Sequence, residues 1–261
     1  MRFHRCRPGA QPDREAQEIG RISMHYVCSD IHGQGELYHR LLEKLQLTEE
    51  DRLYILGDVI DRGPDSIPVL QDVMTRDNVE LFLGNHELMM LDYLRKNENR
   101  YIWFYGNNGG RGTWYQYMKL PREEKEKIAA YLMRTWVQKY TEVDGTPYAL
   151  HHSWLLENRA GEDVRYDACT AADDVMRAVW YSPYRRYDYV PVDRYSDGWI
   201  HIIGHVPVQR EGIERPPLTE GSLILIDGGC AYIRMLETGG LYCMSLETDG
   251  AGKRQEIWIA G

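Results

Sequence analysis

The sequence has only three phenylalanines against 19 tyrosines, no Cys-x-x-Cys pair, and no apolar run near the roughly 20 residues that a bilayer-crossing helix needs. Each shortage excludes something. Without a long apolar run, no membrane partner is expected. Without paired cysteines, a thiolate zinc site and a disulfide framework both drop out. The five cysteines present (Cys6, Cys28, Cys169, Cys230 and Cys243) are odd in number and read as free thiols of a reducing, cytoplasmic setting. Positive charge is scarce as well: 31 Lys and Arg face 40 Asp and Glu, for a net charge of −9. A chain so acidic lacks the basic face that general nucleic-acid binding requires, so no nucleic acid is expected as a partner. Residues 1–23 carry five arginines but neither an apolar core of signal type nor hydrophobic periodicity, and a disordered extension is expected there. Internal repeats and low-complexity tracts are absent.

What is present is a repeated ending. The apolar run in VELFLGNH (79–86) stops at Asn85 and His86. MHYVCSD ends in Asp30, RLYILGD in Asp58, TPYALHH in His151 and His152, WIHIIGH in His205 and LILID in Asp227. Six strand-like runs therefore terminate in an Asp, Asn or His. In the first third they alternate with helical patterns, since Leu37, Leu41, Leu42 and Leu45 share one helix face and a second helix is expected from about Pro64. Asp30, Asp58 and Asn85 stand 28 and 27 residues apart, close to the ~30 residues of a β-α-β unit. Strands repeating at that interval lie parallel, so their carboxyl ends share an edge, where sites assemble in open α/β sheets. A single α/β domain is expected over 24–261, with a helical insertion at about 97–140. That insertion is aromatic and glycine-rich, and its second half reads as a helix running from Pro121 towards Tyr140. Segments 198–205, 222–227, 230–236, 241–247 and 255–259 read as short strands of a second, mostly antiparallel sheet.

Hard oxygen donors and imidazoles gathered at one edge make a two-cation site, in which a carboxylate bridges and a bound water is acidified. Any one of these residues alone is more simply a helix cap or a satisfied side chain. Six at strand ends point to chemistry. The local contexts sharpen this. DIHG (30–33), GDVIDRG (57–63), GNHE (84–87) and GH (204–205) resemble, in order and spacing, the phosphoprotein phosphatase branch of the binuclear metallophosphoesterases. NNGGRGT (107–113) is similar to an element of its bacterial and phage members.

The resemblance implies a β-sandwich of two mixed sheets flanked by helices. It also implies two divalent cations, manganese foremost, with iron, zinc or nickel accepted by the same ligands. Asp30 and His32 would hold one cation, Asp58 would bridge, and Asn85, His152 and His205 would hold the other. His151 competes with His152 for its place, and Ser153 favours His152. The two point to opposite faces of a strand, so only one serves. His86 would be the acid that protonates the leaving oxygen, with Asp61 holding its imidazole. Arg62 would fork onto the phosphate. Arg185 and Arg186 are candidates for a second phosphate contact, with an exposed basic pair as the plainer reading. Glu87 reads as a helix N-terminal charge, and Asp227 as a ligand support or a turn cap. The expected activity is metal-dependent hydrolysis of phosphomonoesters by activated water, with serine/threonine phosphoproteins as the leading substrate class. The alternative is a dinucleotide polyphosphate hydrolase of diadenosine tetraphosphatase type, for which the aromatic insertion (Tyr101, Trp103, Tyr105, Trp114, Tyr115, Tyr117) could stack on adenine or else pack as core. A nuclease fits less well, because Pro207 stands where a second histidine would follow His205.

Overall fold

A computed structural model describes residues 23–97, 100–168, 172–183, 197–235 and 237–261. The extension expected to be disordered therefore lies, apart from Ser23, outside the described residues, as do Cys6, Cys169, Arg185 and Arg186. The first third follows the alternation read from the sequence: β1 (His25–Cys28), α1 (Gly35–Leu45), β2 (Arg52–Ile55), α2 (Ser66–Met74), β3 (Val79–Leu81) and α3 (Asn85–Arg95). Next come α4 (Gly110–Met118), α5 (Arg122–Leu132), β4 (Trp136–Val143), β5 (Thr146–His151), β6 (Val164–Arg165) and α6 (Ala172–Trp180). The chain ends with β7 (Ile200–Ile203), β8 (Leu218–Glu220), β9 (Leu223–Leu225), β10 (Gly240–Thr248) and β11 (Arg254–Ala260).

Two mixed sheets form a sandwich flanked by helices. One has the order β11-β10-β1-β2-β3 and the other β6-β4-β5-β7-β9-β8. Within the first, β1, β2 and β3 run parallel; within the second, so do β5, β7 and β9. Each parallel triplet thus presents three polar terminators at its carboxyl edge: Asp30, Asp58 and Asn85 from one sheet, and His152, His205 and Asp227 from the other. The strand alternation sorts the core into layers. Val27, Tyr54, Leu56 and Phe82 meet Tyr148, Leu150, Ile202 and Ile224 between the sheets. Cys28, Leu53, Ile55 and Leu81 face the helices, together with Leu37, Leu41 and Leu70.

Three expectations need correction. The late strands do not make a separate antiparallel sheet: β10 and β11 extend the first sheet, with Val27 opposite Met244, whereas β7 and β9 are parallel members of the second. The segment expected as a strand at 230–236 is none over its described residues 230–235, because Cys230–Tyr232 forms a single 3-10 turn after the left-handed Gly229. The helix read from Pro121 stops at Leu132, and Trp136–Val143 is strand β4. Its alternating aromatic and β-branched residues fit a pleated surface better than a helix. Among the described residues no helix is long and apolar enough to cross a membrane.

Candidate metal centre

At three of the strand terminators, Asp30, Asp58 and His205, the backbone is bent into an unusual region. Nine non-glycine residues have positive φ among the described residues: Asp30, His32, Asp58, Asp61, Arg62 and His205, plus Gln46, Lys96 and Asp144. The last three end helices or close a hairpin. The first six are all candidate site residues. A left-handed residue costs roughly 1–2 kcal/mol, so this strain is held by something. The N–H groups of His32 and Gly33 donate to the carbonyls of Asp58 and Val59 at 2.9 and 2.7 Å. Glu87, fully buried, then clamps the second loop: Oε2 accepts the N–H of Asp58 at 2.8 Å and of Gly84 at 3.0 Å, and Oε1 accepts from Val59 at 2.9 Å and Ile60 at 3.3 Å. Burial raises the Glu87 pKa, and these N–H bonds pull against that rise. Glu87 is therefore more than a helix N-terminal charge; it sets the shape of the loop carrying Asp58.

Asp58 sits at the centre. Its Oδ2 lies 3.6 Å from His32 Nε2, and its Oδ1 lies 3.6 Å from His152 Nε2. One oxygen thus faces each half of the cluster. On the first side, Asp30 Oδ1 is 3.8 Å from His32 Nε2 and has no hydrogen-bond partner, while Oδ2 accepts the backbone N–H of His205 at 2.8 Å. That bond ties the two sheets together. It also requires glycine at 204, where a Cβ would collide with Ser29 Oγ and Asp30 Oδ2. On the second side, Asn85 Oδ1 lies 3.2 Å from His152 Nε2 and 3.0 Å from His205 Nδ1, and the two imidazole nitrogens are 3.2 Å apart.

The tautomers follow from what the far ring nitrogens do. His152 Nδ1 donates to the Leu56 carbonyl at 2.6 Å and His32 Nδ1 to that of Ile60 at 3.1 Å, which leaves both Nε2 lone pairs facing inward. Burial, then the Arg62 charge, holds the His32 pKa well below the usual histidine range, so the ring stays a neutral donor of electrons. Burial, opposed by His86 but reinforced by the charge of Asp30, pushes Asp58 well above the usual carboxylate range. Acceptor atoms crowded together in a buried place, with Asp30 Oδ1 left unpartnered, are costly without a cation. Carboxylate, amide and imidazole donors of this kind fit a pair of hard-to-borderline divalent ions. The ligand-type atoms of Asp58, His152 and His205 all lie within 4.8 Å of one another, as do those of His32, Asp58 and His86.

His86 stands at the rim of the cluster. Its Nδ1 is 2.7 Å from Asp61 Oδ2, and its Nε2, buried and unpartnered, is 3.9 Å from Asp58 Oδ2. Asp61 is itself completely buried and also accepts bonds from Trp103 Nε1 at 2.7 Å and from Thr113 Oγ1. Arg62 Nη1 lies 3.1 Å from His32 Nε2 at the open side. The structure separates the adjacent histidines: His152 is in the cluster, and His151 turns away to His201 at 3.2 Å. Asp227 accepts the Gly229 N–H at 2.8 Å, as a turn cap does. Burial, and then the charge of Asp30 close by, raise its pKa. Trp103, Thr113 and Glu87 are the residues whose part in the site is not apparent from the motifs; only the reach of Asp61 and Asp58 across the fold reveals it.

Two groups of candidate ligands sharing a carboxylate, beside a histidine–aspartate pair and an arginine, are what a binuclear metallophosphoesterase presents. The sequence matches the family model of calcineurin-like phosphoesterases over residues 26–233, and the chain belongs to that family. Among curated relatives, a symmetrical bis(5'-nucleosyl)-tetraphosphatase of Buchnera aphidicola is 41% identical over 68 residues and one of Erwinia tasmaniensis is 44% identical over 68. These matches span only a quarter of this chain and a quarter of each relative (25% in both cases). Among solved structures, a serine/threonine phosphatase of Saccharomyces cerevisiae superposes with a TM-score of 0.62 at 16% identity, covering 92% of this chain and 80% of its own. A cold-active protein tyrosine phosphatase gives 0.53 at 20% identity, covering 90% and 80%. At such identities the likeness is one of fold.

Proposed function

We propose that the chain hydrolyses phosphoesters with two divalent cations held by Asp30, His32 and Asp58 on one side and by Asp58, Asn85, His152 and His205 on the other. The observation that carries this is Asp58, one oxygen facing each half of a buried ligand cluster. Cations bound there would supply Lewis acidity to a phosphoryl oxygen and make a water more acidic. The rest belongs to the protein's own side chains. Arg62 reaches the open side, where a planar guanidinium pairs with two phosphate oxygens. His86 points Nε2 towards the same space and carries a proton for the leaving oxygen. Asp61, held by Trp103 and Thr113, fixes the ring so that Nδ1 is committed and Nε2 alone faces the substrate.

Two substrate classes fit this chemistry. Dinucleotide polyphosphates have the more specific support, because the curated relatives that are 41–44% identical over 68 residues bear the name of a symmetrical tetraphosphatase. Phosphoserine and phosphothreonine proteins form the second reading, favoured by the Asn-Gly-Gly element at 108–110 that resembles the phage-type protein phosphatases. Manganese is the cation we expect to serve best. The test is Asp58→Asn assayed on p-nitrophenyl phosphate with manganese. Activity should fall by at least about 100-fold in a protein whose circular dichroism is unchanged, as expected when the carboxylate shared by both cation sites is lost. Activity surviving that change would refute the proposed role of Asp58.

A further inference from the structure

The aromatic insertion divides into a buried and an open half. Trp103 and Tyr117 belong to the core, with Trp103 fully enclosed and bonded to Asp61. Tyr101, Tyr105 and Tyr115 do not: they are 53%, 64% and 68% exposed, with the Arg100 guanidinium 4.6 Å from the centre of the Tyr101 ring. Together they rim a cleft of about 450 Å³ whose floor is Tyr93, Phe104 and Trp114. The floor is rigid, because Tyr93 packs edge-on against Phe104 at 4.7 Å and against Trp114 at 4.8 Å between ring centroids. Among the described residues the only charged one lining it is Arg111, and a cleft whose described lining carries a cation favours an anionic ligand.

The loop that carries Arg111, a lining residue of the cleft, lies against Arg62 of the candidate metal centre. Arg111 follows Gly109 and Gly110, and a Cβ on Gly109, whose φ is +81°, would stand 2.5 Å from the Arg62 backbone nitrogen. A Cβ on Gly110 would meet the carbonyl oxygen of Trp103. One short stretch of chain, Gly109 to Arg111, thus touches the Arg62 backbone at one end and the cleft at the other.

We infer that this cleft is a base-binding subsite: it takes the aromatic base of a nucleotide substrate whose phosphate is held at the metal centre, with Arg111 facing the phosphate or ribose between them. The inference rests on the hydrolase reading above and deepens it. The chemistry of the walls argues for a base over an aliphatic side chain. A pocket for leucine or isoleucine is lined with aliphatic groups, whereas here every lining residue but Arg111 carries a flat ring, and the exposed Tyr101, Tyr105 and Tyr115 hold hydroxyls at the wet end. Stacking on such rings tolerates any base and is worth about 1–3 kcal/mol per base, or roughly 5- to 150-fold in affinity.

Binding to the unloaded chain separates this inference from the hydrolase reading. Adenosine 5'-monophosphate should quench tryptophan fluorescence through Trp114, and ribose 5-phosphate should bind at least about 5-fold more weakly. The double variant Tyr105→Ala/Tyr115→Ala should lose that preference, and Tyr105→Phe/Tyr115→Phe should keep most of it. In the manganese-loaded enzyme the alanine variant should raise KM for diadenosine tetraphosphate by roughly 5- to 150-fold, with glycerol 2-phosphate, which has no ring, changed by less than about twofold. Equal binding of the two phosphates by the wild type would overturn the base subsite, whether or not the enzyme hydrolyses anything. So would an alanine variant that loses a phosphothreonine peptide as severely as the dinucleotide. Failure to hydrolyse p-nitrophenyl phosphate with manganese would instead refute the hydrolase reading and leave the binding result to stand on its own.

Discussion

Replacing Glu87 with Gln tests how the Asp58 loop is held. The carboxylate accepts four backbone N–H groups, two on each oxygen: Asp58 and Gly84 on Oε2, Val59 and Ile60 on Oε1. An amide keeps one acceptor oxygen, so whichever way it turns, two buried donors face an NH2 group. Each buried donor left without an acceptor costs about 1–3 kcal/mol, so the expected loss is about 2–6 kcal/mol. That is a large part of the 5–15 kcal/mol of a typical domain. It should lower the melting temperature of the metal-free protein by on the order of 10 °C. Urea denaturation gives the free energy directly, with an unchanged slope if the two-state approximation holds. Asp58 needs this clamp to keep its φ of 54°, so manganese affinity should fall together with stability. A loss below about 0.5 kcal/mol, the range of ordinary surface substitutions, together with unchanged manganese affinity would refute the clamp.

Other expectations follow from the same geometry. His86→Asn should slow alkyl phosphates far more than p-nitrophenyl phosphate, whose leaving group needs no proton; equal losses on both would remove His86 from the acid role. Trp103→Phe leaves Asp61 with one donor fewer and should cost about 1 kcal/mol of stability along with a several-fold drop on alkyl phosphates, read by denaturation and steady-state kinetics. His151 and His201 form a buried pair whose pKa values are pushed below 6.5, by burial first, then at His151 by the neighbouring His201 charge and at His201 against the pull of Asp197. For a depressed base the stability is fully present above the unfolded value and is lost as the pH falls below it, since the unfolded chain takes up protons that the folded one refuses. Each group can contribute up to about 1.4 kcal/mol per pH unit below pH 6.5. His151→Phe should therefore flatten the fall in stability between pH 6.5 and 5, and a slope equal to the wild type's would show that His151 is not the proton-refusing group.

The half of the fold that builds the centre was legible because its signals are local. Apolar runs, helical spacing and an interval near 30 residues announce β1-α1-β2-α2-β3, and a polar residue after each strand marks the functional edge. What escaped reading depends on distant pairing. Period-two alternation marks β10 as a strand but does not say that Val27 lies opposite Met244, some two hundred residues away. Nor does it separate the last turn of α5 from the first residues of β4, because TWVQKYTEV follows the helix with no glycine or proline between them. The helpers of the site were hidden for a similar reason. Trp103 and Thr113 act on Asp61 from 42 and 52 residues further along, and no spacing rule joins them. The preference for His152 over His151, by contrast, rests on local signals: Ser153 beside it, and strand alternation that lets only one of the two serve.

The central claim is that this cluster holds two cations across Asp58, and the most direct test is a manganese titration of the metal-free chain with the bound ions counted per molecule. Two ions per chain, reduced to one or none in Asp58→Asn, is the predicted result. A wild-type chain that binds one ion or none at saturation would contradict it.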